Sequence, residues 1–276
     1  MTDDRPVDGL LRILELERID RDIFRTTNPG NEGGRIFGGQ VASLALRAAA
    51  ATVTVQPEQR VHSLHAYFLR PGRYGTPITC VVDRIRDGTS FTTRRVVCLQ
   101  DGEAILNLDA SFHKEEPGGD FELPFPAWVS RDQSPDDLPR EARPAWRSGN
   151  RPVDTRAVDP PPSSRAARAV WMRAMDRLPD DPVVHACAIT YLSDMGPTRA
   201  VRRRVGQEGP SSMSASLDHC VWFHRSVRAD EWLFYELETV AAGGARGVAR
   251  GSVWTRDGRL VVSVTQEALV RPPRSM

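Results

Sequence analysis

The pattern of apolar and polar positions predicts two copies of one unit, in which a helix is followed by antiparallel strands. In the first half, apolar residues with helical spacing predict a helix over residues 41–49. Alternating segments then predict strands over residues 61–70, 76–87, 90–100 and 103–113, the last two joined by a turn. The second half repeats this order, with a helix over 182–195 and strands over 214–225, 232–240, 245–255 and 259–270.

The spacing of the two hairpin turns, at Asp101-Gly102 and Asp257-Gly258, gives the repeat a period of about 155 residues. A repeat of this length is too long for a solenoid, and it fits a subunit that was duplicated and fused. The segment between the copies is polar and rich in proline, which is typical of a linker that crosses the surface. We therefore expect an N-terminal repeat over residues 1–116, a linker over 117–150 and a C-terminal repeat over 151–276.

One strand-like stretch concentrates polar side chains that could carry chemistry. Residues 216–225 contain a hydroxyl, a carboxylate and an imidazole at Ser216, Asp218 and His219, and residues 63–70 repeat the same frame. Strand alternation predicts that positions 216, 218 and 220 share one face. A serine at such a position is also commonly a strand-edge hydroxyl without a chemical role, and the stretch alone leaves both interpretations open.

Two further polar residues fall at positions where the patterns predict burial. Asp194 continues the apolar stripe of the second helix, although an ion pair with Arg199, or an early helix end at Gly196, would explain it equally well. Gln266 alternates with apolar neighbours, so its amide should face the core or a pocket, where it must find hydrogen bonds. A packing amide satisfied by the backbone is the structural alternative for Gln266.

Composition excludes several classes of function. With 276 residues, 40% hydrophobic residues and a net charge of +1, the chain can bury a core and has no general attraction to nucleic acid or membranes. The four cysteines lack metal-ligand spacing, so we expect reduced, buried thiols, a cytoplasmic location and no metal site. The N-terminal residues lack the apolar segment of a signal peptide.

Five segments carry a recognisable pattern, in order, over nearly the whole chain: residues 37–40, 62–72, 188–194, 216–225 and 265–267. Together they resemble the acyl-CoA thioesterase II family, of the TesB-like type. The resemblance implies an α+β double hotdog fold, in which each of two tandem repeats wraps a curved antiparallel sheet around a helix.

The resemblance implies hydrolysis of acyl-CoA thioesters to free acid and CoA by activated water, without a covalent intermediate or a cofactor. Asp194 matches the family's catalytic aspartate and would act as the general base, with Ser216 and Gln266 as its partners. Asp218 matches a position without a catalytic role, so we expect it to bond to backbone or to an arginine. The N-terminus of the first helix would bind substrate through Gly38, Gly39 and Gln40, with a backbone N–H stabilising the oxyanion.

The first copy lacks this set of residues, which predicts one active site per chain, between the copies. With an offset of 156, Gln266 falls on Ala110 and Asp194 falls on Gly38. The first copy would then supply pocket walls. A double hotdog can also expose sheet edges, which allows a homodimer or a higher homo-oligomer.

Two other functions compete with thioester hydrolysis. The run from Met195 to Arg199 departs from the family pattern beside the expected base and would reshape or polarise the pocket. This departure keeps open a non-catalytic acyl-CoA binding protein. A double-hotdog enoyl-CoA hydratase shares the fold but would carry an Asp-x-Asn-Pro-x-His type motif, which the sequence lacks.

Overall fold

The computed structural model describes residues 9–26, 34–54, 58–141, 152–209 and 212–272. The α-helices of this part of the chain are α1 (Leu10–Ile13), α2 (Gly38–Ala50), α3 (Pro182–Ser193) and α4 (Pro197–Arg204), with a 3-10 turn at Pro135–Asp137. The strands are β1 (Glu17–Asp20), β2 (Ile23–Thr26), β3 (Arg60–Phe68), β4 (Ile78–Asp87), β5 (Phe91–Gln100), β6 (Glu103–His113), β7 (Val153–Val158), β8 (Ala166–Ala174), β9 (Met213–Ser216), β10 (Asp218–Phe223), β11 (Leu233–Gly243), β12 (Arg246–Thr255) and β13 (Leu260–Arg271).

The strands form one sheet whose order is the same read from either end. The first half contributes β1-β2-β4-β5-β6-β3, and the second half continues with β10-β13-β12-β11-β8-β7. The halves join where β3 and β10 pair antiparallel, with His65 opposite Cys220. Each helix-and-strand unit of the first half therefore has a counterpart in the second, and the α+β double hotdog fold is confirmed.

Helices α2 and α3 pack against each other and against the sheet, in one continuous apolar core. Small side chains in α2, such as Ala42, Ala45 and Ala48, are fully buried there, and their size allows the helix to lie close to the strands. None of the described helices is both long and apolar enough to cross a membrane.

The strand predicted over residues 214–225 is wrong as one strand, because the chain breaks at Leu217 into β9 and β10. Ser216 pairs with Ala268 and Cys220 pairs with Thr265, so this side has one more residue than β13 between the two pairs. An extra residue of this kind is a β-bulge, and it shifts the alternation of side chains by one. Ser216 therefore shares a face with position 219 rather than with 218 and 220.

The Pro-rich segment after β6 packs onto the outer face of the second half. Phe125 and Trp128 contact an aromatic cluster built on Trp171, Phe234 and Trp254, separate from the main core. This segment therefore covers a sheet face that would otherwise be exposed and apolar. Its division from the repeats at residues 117 and 150 stays a prediction, and residues 142–150 lie outside the described residues.

Candidate active site

Asp194 lies at the end of α3, where that helix meets the start of α2. It is the C-cap residue of α3, and α4 begins three residues later at Pro197. Proline is favoured at the first position of a helix, because the N–H that it lacks has no partner there. The side chain is buried, and its Oδ2 atom accepts a hydrogen bond of 2.7 Å from the Gly39 N–H. The positive N-terminal end of α2 thus faces the carboxylate and stabilises its charge.

This contact depends on the close approach of α2 and α3. A Cβ atom on Gly39 would lie 2.7 Å from the Tyr191 carbonyl oxygen and 2.6 Å from the Phe37 ring. Any side chain at position 39 would therefore push the two helices apart and displace the N–H from Asp194. The rings of Phe37 and Tyr191 stack edge to face across the same contact.

Ser216 and Gln266 meet Asp194 from the sheet side. The Ser216 hydroxyl lies 3.3 Å from Asp194 Oδ1, and Gln266 Nε2 lies 2.8 Å from Ser216 Oγ. Gln266 is fully buried and faces the core, as its alternation predicted. The structure therefore brings all three predicted residues together, whereas their catalytic role stays a prediction.

Thr198 is a member of the site that the sequence did not single out. It belongs to α4, and its Oγ1 lies 3.2 Å from Gln266 Nε2 and 3.5 Å from Ser216 Oγ. The departing run after Asp194 therefore adds a hydroxyl to the site. Arg199, the alternative ion-pair partner considered for Asp194, instead pairs with Glu141 at 2.6 Å.

His219 is a second residue that the sequence missed. It is fully buried, with Nδ1 at 2.6 Å from Gln266 Oε1 and Nε2 at 2.8 Å from Ser193 Oγ. Burial lowers the pKa of His219, against the opposing effect of the Asp194 charge. Its alternation with the apolar Val221 was the available signal, because a buried histidine needs partners for both ring nitrogens.

Asp218 has the structural role that the resemblance implied. Its carboxylate accepts a hydrogen bond of 2.6 Å from the Glu267 N–H. This bond joins the start of β10 to β13 beside the bulge. The side chains of the adjacent residues Asp218 and His219 therefore lie on opposite faces of β10.

The predicted substrate-binding residues at the start of α2 differ in what they can offer. The Gly39 N–H is engaged by Asp194, and the Gln40 N–H bonds to the Phe37 carbonyl at 3.1 Å. Among the described residues the Gly38 N–H has no hydrogen-bond acceptor. A Cβ on Gly38 would lie 3.0 Å from Asp194 Oδ2 and 2.8 Å from the Phe68 ring, so the backbone is close to both.

The described residues of the first half contain no equivalent set, but the counterpart of Asp194 is not Gly38. The C-cap of α2 is Ala51, so Ala51 corresponds to Asp194, and the constant offset is wrong for the helices because the second half is longer between α3 and β10.

The sheet shows what replaces the site in the first half. Ala110 pairs with Arg94 across β5 and β6, whereas its counterpart Gln266 pairs with the small Ala249 across β12 and β13. Arg94 is fully buried, and its Nε bonds to Thr52 Oγ1 at 2.8 Å, just beyond α2. A large arginine therefore fills the space that holds the glutamine in the second half.

Within the described residues, no group of three or more His, Cys, Asp or Glu side chains could hold a metal ion. The four cysteines are unpaired, and Cys80 Sγ lies 3.4 Å from Cys98 Sγ. The polar groups that converge on Asp194 are therefore the candidate active site.

Comparisons with known proteins agree with this geometry. Residues 27–113 match the model of an acyl-CoA thioesterase N-terminal domain, and residues 129–270 match that of the C-terminal domain. The chain is 34% identical to acyl-coenzyme A thioesterase 8 of Mus musculus, over 94% of the chain and 88% of that protein. It is 30% identical to acyl-CoA thioesterase 2 of Haemophilus influenzae, over 96% of the chain and 98% of that protein.

A solved structure is similar over the whole length. The acyl-CoA thioesterase II TesB2 from Mycobacterium marinum aligns with a TM-score of 0.81 and 38% identity, covering 97% of this chain and 98% of that one. A hot dog fold protein from Alicyclobacillus acidocaldarius, at 20% identity and a TM-score of 0.76, supports the fold alone.

Proposed function

The chain belongs to the acyl-CoA thioesterase II family and hydrolyses acyl-CoA thioesters to free acid and CoA, and we propose that Asp194 activates the attacking water. The observation that carries this proposal is the buried Asp194 carboxylate between the halves, with Ser216 and Gln266 in hydrogen-bond contact. No covalent intermediate forms, because the carboxylate removes a proton from water rather than attacking the carbonyl carbon.

Asp194 is the proton acceptor in this reaction. An ionised carboxylate is a hydrogen-bond acceptor at both oxygens, and Asp194 accepts from the Gly39 N–H at Oδ2 and from the Ser216 hydroxyl at Oδ1. Asp194 therefore accepts a proton from water as the water oxygen bonds to the thioester carbon. The carbon–sulfur bond of the tetrahedral intermediate then breaks, the CoA sulfur takes the proton that Asp194 accepted, and the acyl group departs as the acid, which leaves Asp194 ionised again.

The start of α2 is the proposed site of oxyanion stabilisation. The negative charge that develops on the thioester oxygen needs a donor that is already in place. The Gly38 N–H at the first position of α2 fits this role, whereas the N–H groups of Gly39 and Gln40 are engaged. We assign Gly39 to holding the base and Gln40 to the buried wall of the site.

We also propose a metabolic role, a location and partners for the enzyme. Its acyl-CoA substrates favour a role in lipid and fatty acid metabolism, and its unpaired cysteines favour the cytoplasm. The balanced charge favours neither nucleic acid nor membrane as a partner. Tyr67 and Leu69 are exposed at the end of β3, and such apolar surface supports assembly as a homodimer or higher homo-oligomer.

We expect the purified protein to release free thiol from acyl-CoA substrates. The test is a thiol-reagent assay over saturated chains from short to long, which also defines the chain-length preference that the run from Met195 to Arg199 influences. Saturable acyl-CoA binding without thiol release at any length would contradict the proposal and favour the binding protein. Loss of the enoyl group of crotonyl-CoA without thiol release would favour the hydratase.

A further inference from the structure

His219 lies behind the proposed catalytic residues and contacts none of the reacting atoms. Its ring is fully buried between α3 and β13, and each nitrogen has a side-chain partner. Nδ1 meets Gln266 Oε1 at 2.6 Å, and Nε2 meets Ser193 Oγ at 2.8 Å. A chain of side chains therefore runs from Ser193 through His219 and Gln266 to Ser216 and the carboxylate.

The direction of each hydrogen bond in this chain is set from the carboxylate end. An ionised Asp194 only accepts, so the Ser216 hydroxyl must donate its single proton to Oδ1 at 3.3 Å. Ser216 Oγ can then only accept from Gln266, which must present its NH₂ group at 2.8 Å. The second hydrogen of the same NH₂ group reaches Thr198 Oγ1 at 3.2 Å.

The orientation of the Gln266 side-chain amide is fixed once its NH₂ group faces Ser216. Its carbonyl oxygen faces His219, so Nδ1 must carry a proton. Burial lowers the pKa of His219 and keeps the ring neutral, which leaves Nε2 bare. The Ser193 hydroxyl then donates its one proton to Nε2 at 2.8 Å rather than to the Thr190 carbonyl at 3.1 Å.

The opposite tautomer of His219 would also give the buried polar groups hydrogen-bond partners, but it would turn the Ser216 proton away from Asp194. With the proton on Nε2, the ring would donate to Ser193 Oγ, and Ser193 would donate to the Thr190 carbonyl at 3.1 Å. Gln266 would turn its NH₂ group toward the bare Nδ1 and its oxygen toward Ser216. The Ser216 proton would then point to the amide oxygen and away from Asp194.

We propose that His219 is a positioning residue whose Nδ1–H tautomer orients the Gln266 amide, so that the Ser216 proton points at the Asp194 carboxylate. Ser193 supports this tautomer by donating to Nε2. The inference rests on the proposed function of Asp194, Ser216 and Gln266 and adds a fourth residue to it.

Substitutions separate this role from a packing role. His219→Leu removes the donor at similar volume, whereas His219→Asn keeps an N–H donor near the position of Nδ1. We expect His219→Leu to lower kcat by about 10- to 100-fold with KM unchanged, and His219→Asn to recover most of the loss. Equal kcat values in wild type and His219→Leu, or equal losses in both variants, would overturn the proposal.

His185 provides a matched control for losing a buried imidazole. It lies in α3, is 4% exposed, and accepts a hydrogen bond from the Ala229 N–H, away from the site. We expect His185→Leu to lower thermal stability while leaving kcat per folded protein unchanged. A fall in kcat equal to that of His219→Leu would mean that any buried histidine supports activity through stability alone.

The wild-type protein gives a test that does not depend on folding of the variants. Solution NMR of ¹⁵N-histidine-labelled protein reports which ring nitrogen carries the proton, and the His219→Asn or His219→Leu spectrum identifies its signals among the six histidines. We expect a protonated Nδ1 and a bare Nε2, whereas a protonated Nε2 would overturn the inference. Full activity of Asp194→Asn would instead overturn the proposed function, so the two failures are distinguishable.

Discussion

Replacing Asp194 by Asn should lower kcat for acyl-CoA hydrolysis by about 10²- to 10⁴-fold, which is the usual contribution of a general base. Asparagine has nearly the same shape, but its amide cannot take a proton from water. Its oxygen still accepts from the Gly39 N–H, so the contact between α2 and α3 persists. The measurement is the rate of thiol release at saturating substrate, together with thermal unfolding of both proteins.

Asp218→Asn is the matched control for this substitution. Asp218 is a carboxylate in the same part of the fold, and it bonds to the Glu267 N–H rather than to the site. We expect its kcat to stay near that of wild type. Thiol release by Asp194→Asn at the wild-type rate would remove Asp194 from the mechanism.

Arg94→Met should lower the free energy of unfolding by about 2–4 kcal/mol, because several buried hydrogen bonds are lost at once. Its guanidinium bonds to the Thr52 hydroxyl and carbonyl beyond α2 and to the Arg86 carbonyl, and it pairs with Asp87. Methionine fills the space but leaves the carbonyl oxygens without a donor. We expect kcat per folded protein to stay unchanged, because Arg94 contacts the chain beyond the C-terminal end of α2, whereas the proposed site lies at the N-terminal end of that helix.

Arg250→Met is the control for the Arg94 prediction. Arg250 pairs with Glu238 on the neighbouring strand, but 62% of its side chain is exposed. Exposed ion pairs contribute about 0–1 kcal/mol, so this loss should be much smaller. Urea unfolding of the two variants beside wild type makes the comparison, and equal losses would contradict the structural role of Arg94.

Elements with a clear period could be predicted from the sequence. The stripe from Val41 to Ala49 predicted α2, and the alternation around Gln266 predicted that its amide faces the core, where it lies. Asp194 was expected to be desolvated for the same reason, and it is buried. The type of an element, the burial of its residues and the duplication of the unit can all be predicted in this way, because each depends on the spacing of apolar side chains.

Elements without a period could not be predicted. Strand β8 is buried over most of its length and shows no alternation, because the core packs on one face and an aromatic cluster on the other. Helix α4 follows Gly196 and begins at Pro197, although a Gly-Pro pair usually marks the end of a helix. Thr198 was missed for that reason.

The bulge at Leu217 explains the remaining error in the site. No local feature of residues 214–225 marks where an extra residue enters the ladder, because bulges depend on the partner strand. Strict alternation therefore grouped Ser216 with Asp218, whereas the ladder groups it with His219 and Gln266. His219 therefore contacts Gln266, whereas Asp218 bonds to the backbone of β13.

A single-turnover reaction in ¹⁸O-labelled water tests the central claim most directly. Enzyme in excess over acyl-CoA is quenched during the turnover, and the masses of the product acid and of the intact protein are measured. Direct attack of water activated by Asp194 predicts one heavy oxygen in the acid and an unchanged protein mass. A protein carrying the acyl group, or heavy oxygen in the Asp194 carboxylate, would contradict it.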